Sequence, residues 1–298
     1  MNEEIQKEIF REQTKKTVKK TIKRILKGIA IFLVCSTIFF TYTTYVSTIK
    51  IGVREYRITN KKIPESFKGL KIIQISDLHY GTTMLLEDLK TIKKLSNERK
   101  PDLVVFTGDL LSKKINIKEQ EKIINELKGI TSTLGKYAIL GDEDTEIVTT
   151  IFNQSEFTIL KNEYDLIYQD NTSPILLVGL SSSLNNEQNL ENAYHYFQEE
   201  QHNADIFTIT LLHEPDSVDN IIDNYPTDLF LAGHSHNGNI RIPFINQSFI
   251  KQKGAKKYDA EHYSLKDKEL YISSGLGTKK GIRLFCRPSI NFFRLAPN

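Results

Sequence analysis

The stretch IIQISDLHYG, residues 72–81, runs an apolar segment directly into Asp77 and His79, two residues apart. A continuous β-rich apolar run suits a strand buried on both faces, as in a sheet covered by other layers. The same design recurs four times. VVFTGDLL (104–111) ends in Gly108-Asp109, AILGDED (138–144) in Gly141-Asp142, TITLLHEPD (208–216) in His213, and LFLAGHSHNG (229–238) in Gly233-His234-Ser235-His236. Ligand sites in α/β sheets form at the carboxyl ends of strands, and each run delivers a ligand-type side chain there. In extended chain an i, i+2 pair points one way, so Asp77/His79 and His234/His236 are expected to act as pairs. A single strand-end Asp or His is ordinary turn chemistry. Five in order, taking four of the seven histidines, point to a site; His195, His202 and His262 lack this setting and are expected on the surface.

Between these runs lie helical patterns at 85–99 and 115–127, so the body opens as βαβαβ. Further strands are expected at 51–59, 174–180, 206–212, 228–233, 269–274 and 282–286, with helices at 190–200 and 218–225 between some of them. Two sheets covered by helices are the implied architecture. Residues 50–298 read as one domain, without internal repeats.

Ahead of that domain, residues 1–27 carry nine Lys/Arg against four Glu, a net of +5, which leaves −2 on the remainder of a chain whose formal charge is +3. A slightly acidic body argues against nucleic-acid binding, which relies on clustered positive charge. Residues 28–46 hold no charged side chain; as a helix they would span about 28 Å, near the thickness of bilayer hydrocarbon. The expected organisation is a basic cytoplasmic tail at 1–27, a single transmembrane anchor at 28–48 and a domain at 50–298 outside the cytoplasm, by the positive-inside rule. The two cysteines, Cys35 in the span and Cys286 near the C-terminus, are not expected to pair.

The ordered strand-end residues resemble the calcineurin-like metallophosphoesterase pattern D-x-H, G-D, G-N-H-[DE], H, G-H-x-H. ITNKKIPESFKGLKIIQISDLHYG and YISSGLGTKKGIRLFCRPSINFF look like the opening and closing segments of its membrane-anchored or exported bacterial branch, which includes UDP-2,3-diacylglucosamine hydrolase-like phosphodiesterases. The resemblance implies an α/β (α+β) fold, a four-layer αββα sandwich behind one N-terminal transmembrane helix. It also implies two divalent metal ions as cofactors, with Asp77, His79 and His236 on one, His213 and His234 on the other, and Asp109 bridging. Such a pair activates a hydroxide and clamps the oxygens of an in-line displacement at phosphorus. Mixed carboxylate and imidazole ligands suit Mn, Fe or Zn.

One segment departs from the pattern. In GDED, Asp142 stands where the family has a metal-ligating Asn, and Glu143 where it has a His that assists the leaving group; Asp144 keeps the usual type, and Glu146 suits the first turn of a helix. With Asn, two carboxylates and a hydroxide against two divalent ions leave +1; Asp142 brings this to zero and disfavours a phosphate dianion relative to a diester monoanion. Glu143 replaces the imidazole only if burial or its acidic neighbours raise its pKa. The leading expectation is therefore a membrane-anchored phosphodiesterase or pyrophosphatase, with catalytic Asp109 and Glu143, acting on a lipid-linked or envelope substrate. Lys279, Lys280, Arg283 and Arg287 are available to hold substrate phosphates, though a solvated basic loop accounts for any one of them. The alternative is a metal-binding receptor or scaffold that has lost the acid; a nuclease is disfavoured by the acidic body.

Overall fold

The structure, a computed structural model, describes residues 2–42, 51–169, 173–198, 205–241, 251–278 and 283–298. It contains two compact units, Met1–Val46 and Ser47–Asn298. The first is one helix, α1 (Asn2–Thr41), which carries the basic segment and the apolar segment without a break. Its apolar part is long enough to cross a membrane, by length and composition, and a signal sequence shares those features. Positions 43–48 of the expected span lie outside the described residues.

The second unit opens with β1 (Gly52–Asn60), β2 (Lys71–Ile75), α2 (Leu86–Glu98), β3 (Leu103–Thr107), α3 (Ile117–Lys128), β4 (Gly135–Ile139), α4 (Glu146–Gln154) and β5 (Thr158–Ile159). It continues with β6 (Glu163–Ile167), β7 (Ile175–Gly179), α5 (Leu190–Ala193), β8 (Thr208–Leu212), α6 (Val218–Ile221), β9 (Leu229–Ala232), β10 (His262–Leu265), β11 (Lys268–Ile272) and β12 (Ser289–Pro297). These strands form two six-stranded mixed sheets, ordered β1-β12-β2-β3-β4-β5 and β10-β11-β9-β8-β7-β6. Within them β2-β3-β4-β5 and β7-β8-β9-β11 are parallel, so the strand ends that carry the candidate residues share one edge of each sheet.

Side-chain parity fixes the layers. Ile73, Val104, Phe106 and Ala138 pack outward against Leu89, Ile92, Ile123, Leu127 and Phe152 of α2, α3 and α4. Their alternates Ile72, Leu103, Val105 and Ile139 face Leu177, Ile209, Leu211, Leu229 and Leu231 of the second sheet. Leu176, Val178, Phe230 and Leu270 then meet Ala193, Tyr194, Val218 and Ile221 beyond it. Because β3, β7 and β9 are covered on both faces, their sequences are nearly continuous apolar runs. The result is the expected four-layer αββα sandwich.

Several elements differ from expectation. The pattern at 190–200 yields only α5 and a 3₁₀ turn at His195–Gln198; Tyr194 leaves helical backbone and sets its hydroxyl 2.7 and 2.9 Å from the Thr210 and Thr227 hydroxyls. Residues 199–204 lie outside the described set. The pattern at 218–225 is cut to α6 and a following turn in which Tyr225 N still donates to Ile221 O at 2.9 Å, just before Pro226. Of the strand expected at 282–286, residues 283–286 form only one bridge, Leu284 to Ile240. Phe285 there has a left-handed φ of 53°, and Arg283 is turned inward. β12 instead fills the slot between β1 and β2.

Candidate metal centre

β2, β3 and β9 stop before the candidate residues do. Beyond β2 and β3 the pairing continues, with Asp77 N donating to Gly108 O at 2.9 Å and His79 N to Asp109 O at 3.1 Å. Asp77, His79, Asp109, His234 and His236 all have left-handed backbone, with φ between 45° and 64°. Non-glycine residues rarely adopt it, and such strain gathers at functional sites. The extended-chain pairing argument therefore fails for its stated reason: Asp77 and His79 do converge, but through left-handed turns, and His234 and His236 join different clusters.

One cluster is Asp77, His79 and His236; the other is Asp142, His213 and His234. In the first, His236 Nε2 lies 3.4 Å from Asp77 Oδ1 and 3.1 Å from His79 Nε2. In the second, Asp142 Oδ1 is 3.2 Å from both His213 Nε2 and His234 Nδ1, which are 3.3 Å apart. Asp109 Oδ2 lies between the two, 3.6 Å from His79 Nε2 and 3.5 Å from His213 Nε2. All seven of these residues come together, and all but Asp142 are nearly fully buried.

The outward nitrogens of the histidines set their tautomers. His213 Nδ1 meets Thr107 O at 2.7 Å, His234 Nε2 meets Lys253 O at 2.7 Å, and His236 Nδ1 meets Gly277 O at 2.9 Å. A carbonyl only accepts, so each of these nitrogens carries the hydrogen and the inward nitrogen of the neutral ring is a bare lone pair. His213, His234 and Asp142 then present three acceptors to one another with no donor between them, and Asp142 Oδ1 is buried without a hydrogen-bond partner. This donor set fits a divalent cation. Without one, protons take its place. Burial alone would lower the His213 imidazole, but Asp109 and Asp142 raise it well above the ordinary histidine value, and His234 is raised against burial by Asp142. Burial would raise Asp77 and Asp142, yet the imidazoles beside them hold both carboxyls well below the usual range.

Two glycines let the backbone pass this close. A Cβ on Gly141 would sit 2.3 Å from Asp109 Oδ1, and one on Gly233 would sit 2.2 Å from Ser76 Oγ and 2.8 Å from Asp77 Oδ2.

GDED divides into separate parts. Helix α4 begins at Glu146, after Thr145, so Glu146 is in the first turn and the three preceding acids are not its cap. Asp142 joins the second cluster. Glu143 lies at the rim with 36% of its side chain exposed, and its Oε2 is 3.8 Å from His79 Nδ1. Asp144 accepts from Asp109 N, Leu110 N and Gly141 N at 2.8–2.9 Å, binding the two acidic loops together. Burial and Asp109 push its carboxyl up to about 7, against the pull of those N–H donors.

Sequence reasoning missed the supports. Ser112 Oγ lies 2.8 Å from His79 Nδ1. Arg283, read as a phosphate holder or solvated residue, is neither: fully buried, it donates to Ser274 O, Gly275 O and Gly277 O at 2.7–3.1 Å, behind His236. Lys279 and Lys280 lie outside the described residues, and Arg287 is exposed. His195 and His262 are away from the centre, on a 3₁₀ turn and on β10, and His202 is outside the described set.

The calcineurin-like phosphoesterase family profile matches residues 70–238, which hold both clusters and the shared aspartate. The chain belongs to that family. It is 31% identical over 260 residues to the uncharacterized metallophosphoesterase YkuE of Bacillus subtilis, covering 85% of this chain and 88% of that one. Identity to the phosphodiesterase YaeI of Escherichia coli is 26%, over 76% and 82% of the two chains. Identity to the UDP-2,3-diacylglucosamine pyrophosphatase LpxG of Chlamydia muridarum is 28%, over 78% and 86%. These relatives are consistent with the UDP-diacylglucosamine hydrolase-like branch. The metallophosphoesterase is thus a metal-dependent phosphoester hydrolase by family.

Proposed function

We propose that this metallophosphoesterase hydrolyses phosphodiester or pyrophosphate bonds of a lipid-linked or envelope substrate, from a membrane-anchored chain whose second unit lies outside the cytoplasm. The carrying observation is the pair of carboxylate–imidazole clusters, with one oxygen of Asp109 lying between them. Asp77, His79 and His236 would hold one divalent ion, Asp142, His213 and His234 the other, and Asp109 both. Two such ions supply a nucleophile at neutral pH and a clamp on the oxygens at phosphorus. The chain's own residues fix the tautomers of His213, His234 and His236 and bury the ligands away from water, and Glu143 at the rim would assist the leaving group. Asp142, in place of a neutral amide, removes one positive charge from the centre, which favours a diester monoanion over a monoester dianion. The lipid-linked substrate class rests on the relatives' names, and the anchor on the apolar part of α1.

The test is turnover of bis(p-nitrophenyl) phosphate against p-nitrophenyl phosphate by the full chain with added Mn, Fe or Zn, with bound metal measured alongside. Metal-dependent hydrolysis that favours the diester supports the reading. Two bound ions without turnover would support the scaffold, the reading favoured by the exposed Glu143 in place of an imidazole. Protease added to intact cells tests sidedness, and protection of the second unit until the membrane is opened would reverse it.

A further inference from the structure

Beside the centre, a groove of about 490 Å³ runs between the loop after β3 and the start of α4, lined by Leu111, Ser112, Lys113, Lys114, Ile115, Glu143, Thr145, Glu146 and Ile147. That volume falls within the range of small-ligand sites. It adjoins the centre, because Ser112 Oγ and Glu143 Oε2 approach the same His79 nitrogen at 2.8 and 3.8 Å. Leu111, Ile115 and Ile147 give it apolar walls. The stem of Lys113 lies across Gly81, where an added Cβ would come within 2.4–2.9 Å of its methylenes, so that lysine offers hydrocarbon to its surroundings and its ammonium to solvent.

The surrounding surface repeats this character. Five large apolar side chains are exposed among the described residues of the second unit: Leu85, Ile117, Ile147, Tyr168 and Phe285. Four of them belong to the centre's edge. Leu85, Ile117 and Ile147 stand at the starts of α2, α3 and α4, the helices that follow the carboxyl ends of β2, β3 and β4. Phe285 lies in the segment whose neighbour Cys286 donates from Sγ to His236 O.

We propose that this groove seats an alkyl or acyl chain of the substrate, attached close to the phosphate under attack. This rests on the hydrolase reading above and narrows it to amphiphilic phosphodiesters. A chain tethered to a phosphate at the centre enters between Ser112 and Glu143, covers Ile115 and Ile147, and leaves the two lysines facing the anionic end. A polar diester would leave those apolar walls in water.

The experiment uses the full chain in lipid nanodiscs, loaded with Mn, and p-nitrophenyl methyl, propyl and hexyl phosphates, whose common leaving group needs no proton. Each methylene that enters the groove should raise kcat/KM about fourfold, from about 0.8 kcal/mol per buried CH₂. Ile115→Asn and Ile147→Asn should each cut the hexyl-to-methyl ratio several-fold, while Tyr168→Asn leaves it as it was; thermal melts and metal content confirm that each variant folds. Calorimetry with methyl- and hexylphosphonate supplies a second reading: the hexyl compound should bind more tightly, with a more negative heat-capacity change, and Ile147→Asn should reduce both differences. Turnover with no dependence on chain length overturns the groove and leaves the hydrolase standing, as does a dependence that Ile115→Asn and Ile147→Asn leave intact. Two bound ions with no turnover of any ester overturn the hydrolase reading, and equal phosphonate affinities then overturn the groove as well.

Discussion

Gly141→Ala perturbs the shared aspartate most strongly, and His213 beside it, without replacing any ligand. Gly141 has no left-handed backbone, so alanine is conformationally admissible there, and the only obstacle is space. Its Cβ would meet Asp109 Oδ1 at 2.3 Å, Asp109 N at 2.8 Å and His213 Cε1 at 2.9 Å. Real Cβ contacts essentially never fall below 3.0 Å, so the Asp109 oxygen must retreat by about 0.7 Å or more. It is not free to do so, because Oδ1 accepts from Glu143 N at 3.2 Å. Metal–ligand distances tolerate about 0.2 Å. Overpacking of this kind costs about 1–3 kcal/mol, equivalent to a fall in Tm of about 2–12 °C for a domain of this size.

The larger effect is expected on metal binding. Since Asp109 faces both clusters, both affinities should fall at least about tenfold, the scale on which disturbed ligand supports act. Wild-type and variant chains should be melted with and without metal, with stoichiometry by mass spectrometry and turnover of an aryl diester in parallel. Gly52→Ala is the control, since a Cβ there meets nothing closer than 3.8 Å. The expected pattern is a modest loss of Tm in the metal-free variant and loss of most of the metal-induced rise. Two ions bound with wild-type affinity and full turnover by Gly141→Ala would refute the placement of Asp109 in both coordination spheres.

Asp109→Ala should abolish paired metal binding and turnover, whereas His195→Ala, away from the centre, should change neither; metal analysis and kcat/KM decide. Arg283→Lys should lower Tm by several degrees and weaken one ion more than the other in a metal titration. The lysine cannot serve all three carbonyls, each unpaired buried group costing about 1–3 kcal/mol, and Gly277 O, which orients His236, is among them. His213 and His234 hold their protons above the ordinary range in the ion-free protein, so a metal must displace them. Affinity should therefore rise from pH 6 to pH 8 with proton release, and calorimetry in buffers of different ionisation enthalpy would expose a flat dependence as contrary evidence. Asp142→Asn should raise the monoester-to-diester activity ratio, and Glu143→His should accelerate alkyl but not aryl esters, by up to roughly 10²–10⁴-fold; equal effects on all substrates would deny both residues a chemical role.

Much of the sandwich was legible because most of its central strands are covered on both faces and are dominated by apolar residues, whereas β12, interrupted by Asn291 and Arg294, was not read as a strand. Among the edge strands β1 was expected at 51–59, but β6 and β10 were not: they bury only part of their surface, and EYDLI and HYSL carry no run to read. The segment at 282–286 looked like a strand because Ile, Leu and Phe dominate it, yet the deciding residue is Arg283, whose carbonyl partners lie up to nine positions away. The seven clustered residues were legible as strand-end chemistry in a fixed order. Their supports were not, since Ser112 reaches His79 across 33 positions and Asp144 joins loops 34 and 35 positions apart, distances over which no local pattern operates. The i, i+2 rule assumed extended chain where the backbone is left-handed, and so could not separate His234 from His236.

That separation explains how the centre joins the fold. The first sheet contributes Asp77, His79, Asp109 and Asp142, hence every carboxylate, and the second contributes His213, His234 and His236, three imidazoles that are neutral when metallated. Each cluster draws from both sheets: Asp77 and His79 face His236, and Asp142 faces His213 and His234. An ion bound in either cluster would therefore cross-link the sheets at the edge where the apolar contact between them ends, and it would stabilise the sandwich by RT ln(1 + [M]/Kd), about 2.7 kcal/mol per site at a hundredfold excess over Kd. Charge follows the same division. The first sheet brings three carboxylates to a buried edge, and beside them the His213 and His234 imidazoles of the second sheet are raised above the ordinary histidine value by Asp109 and Asp142. Folding of this edge and assembly of the centre are, on these grounds, one electrostatic event.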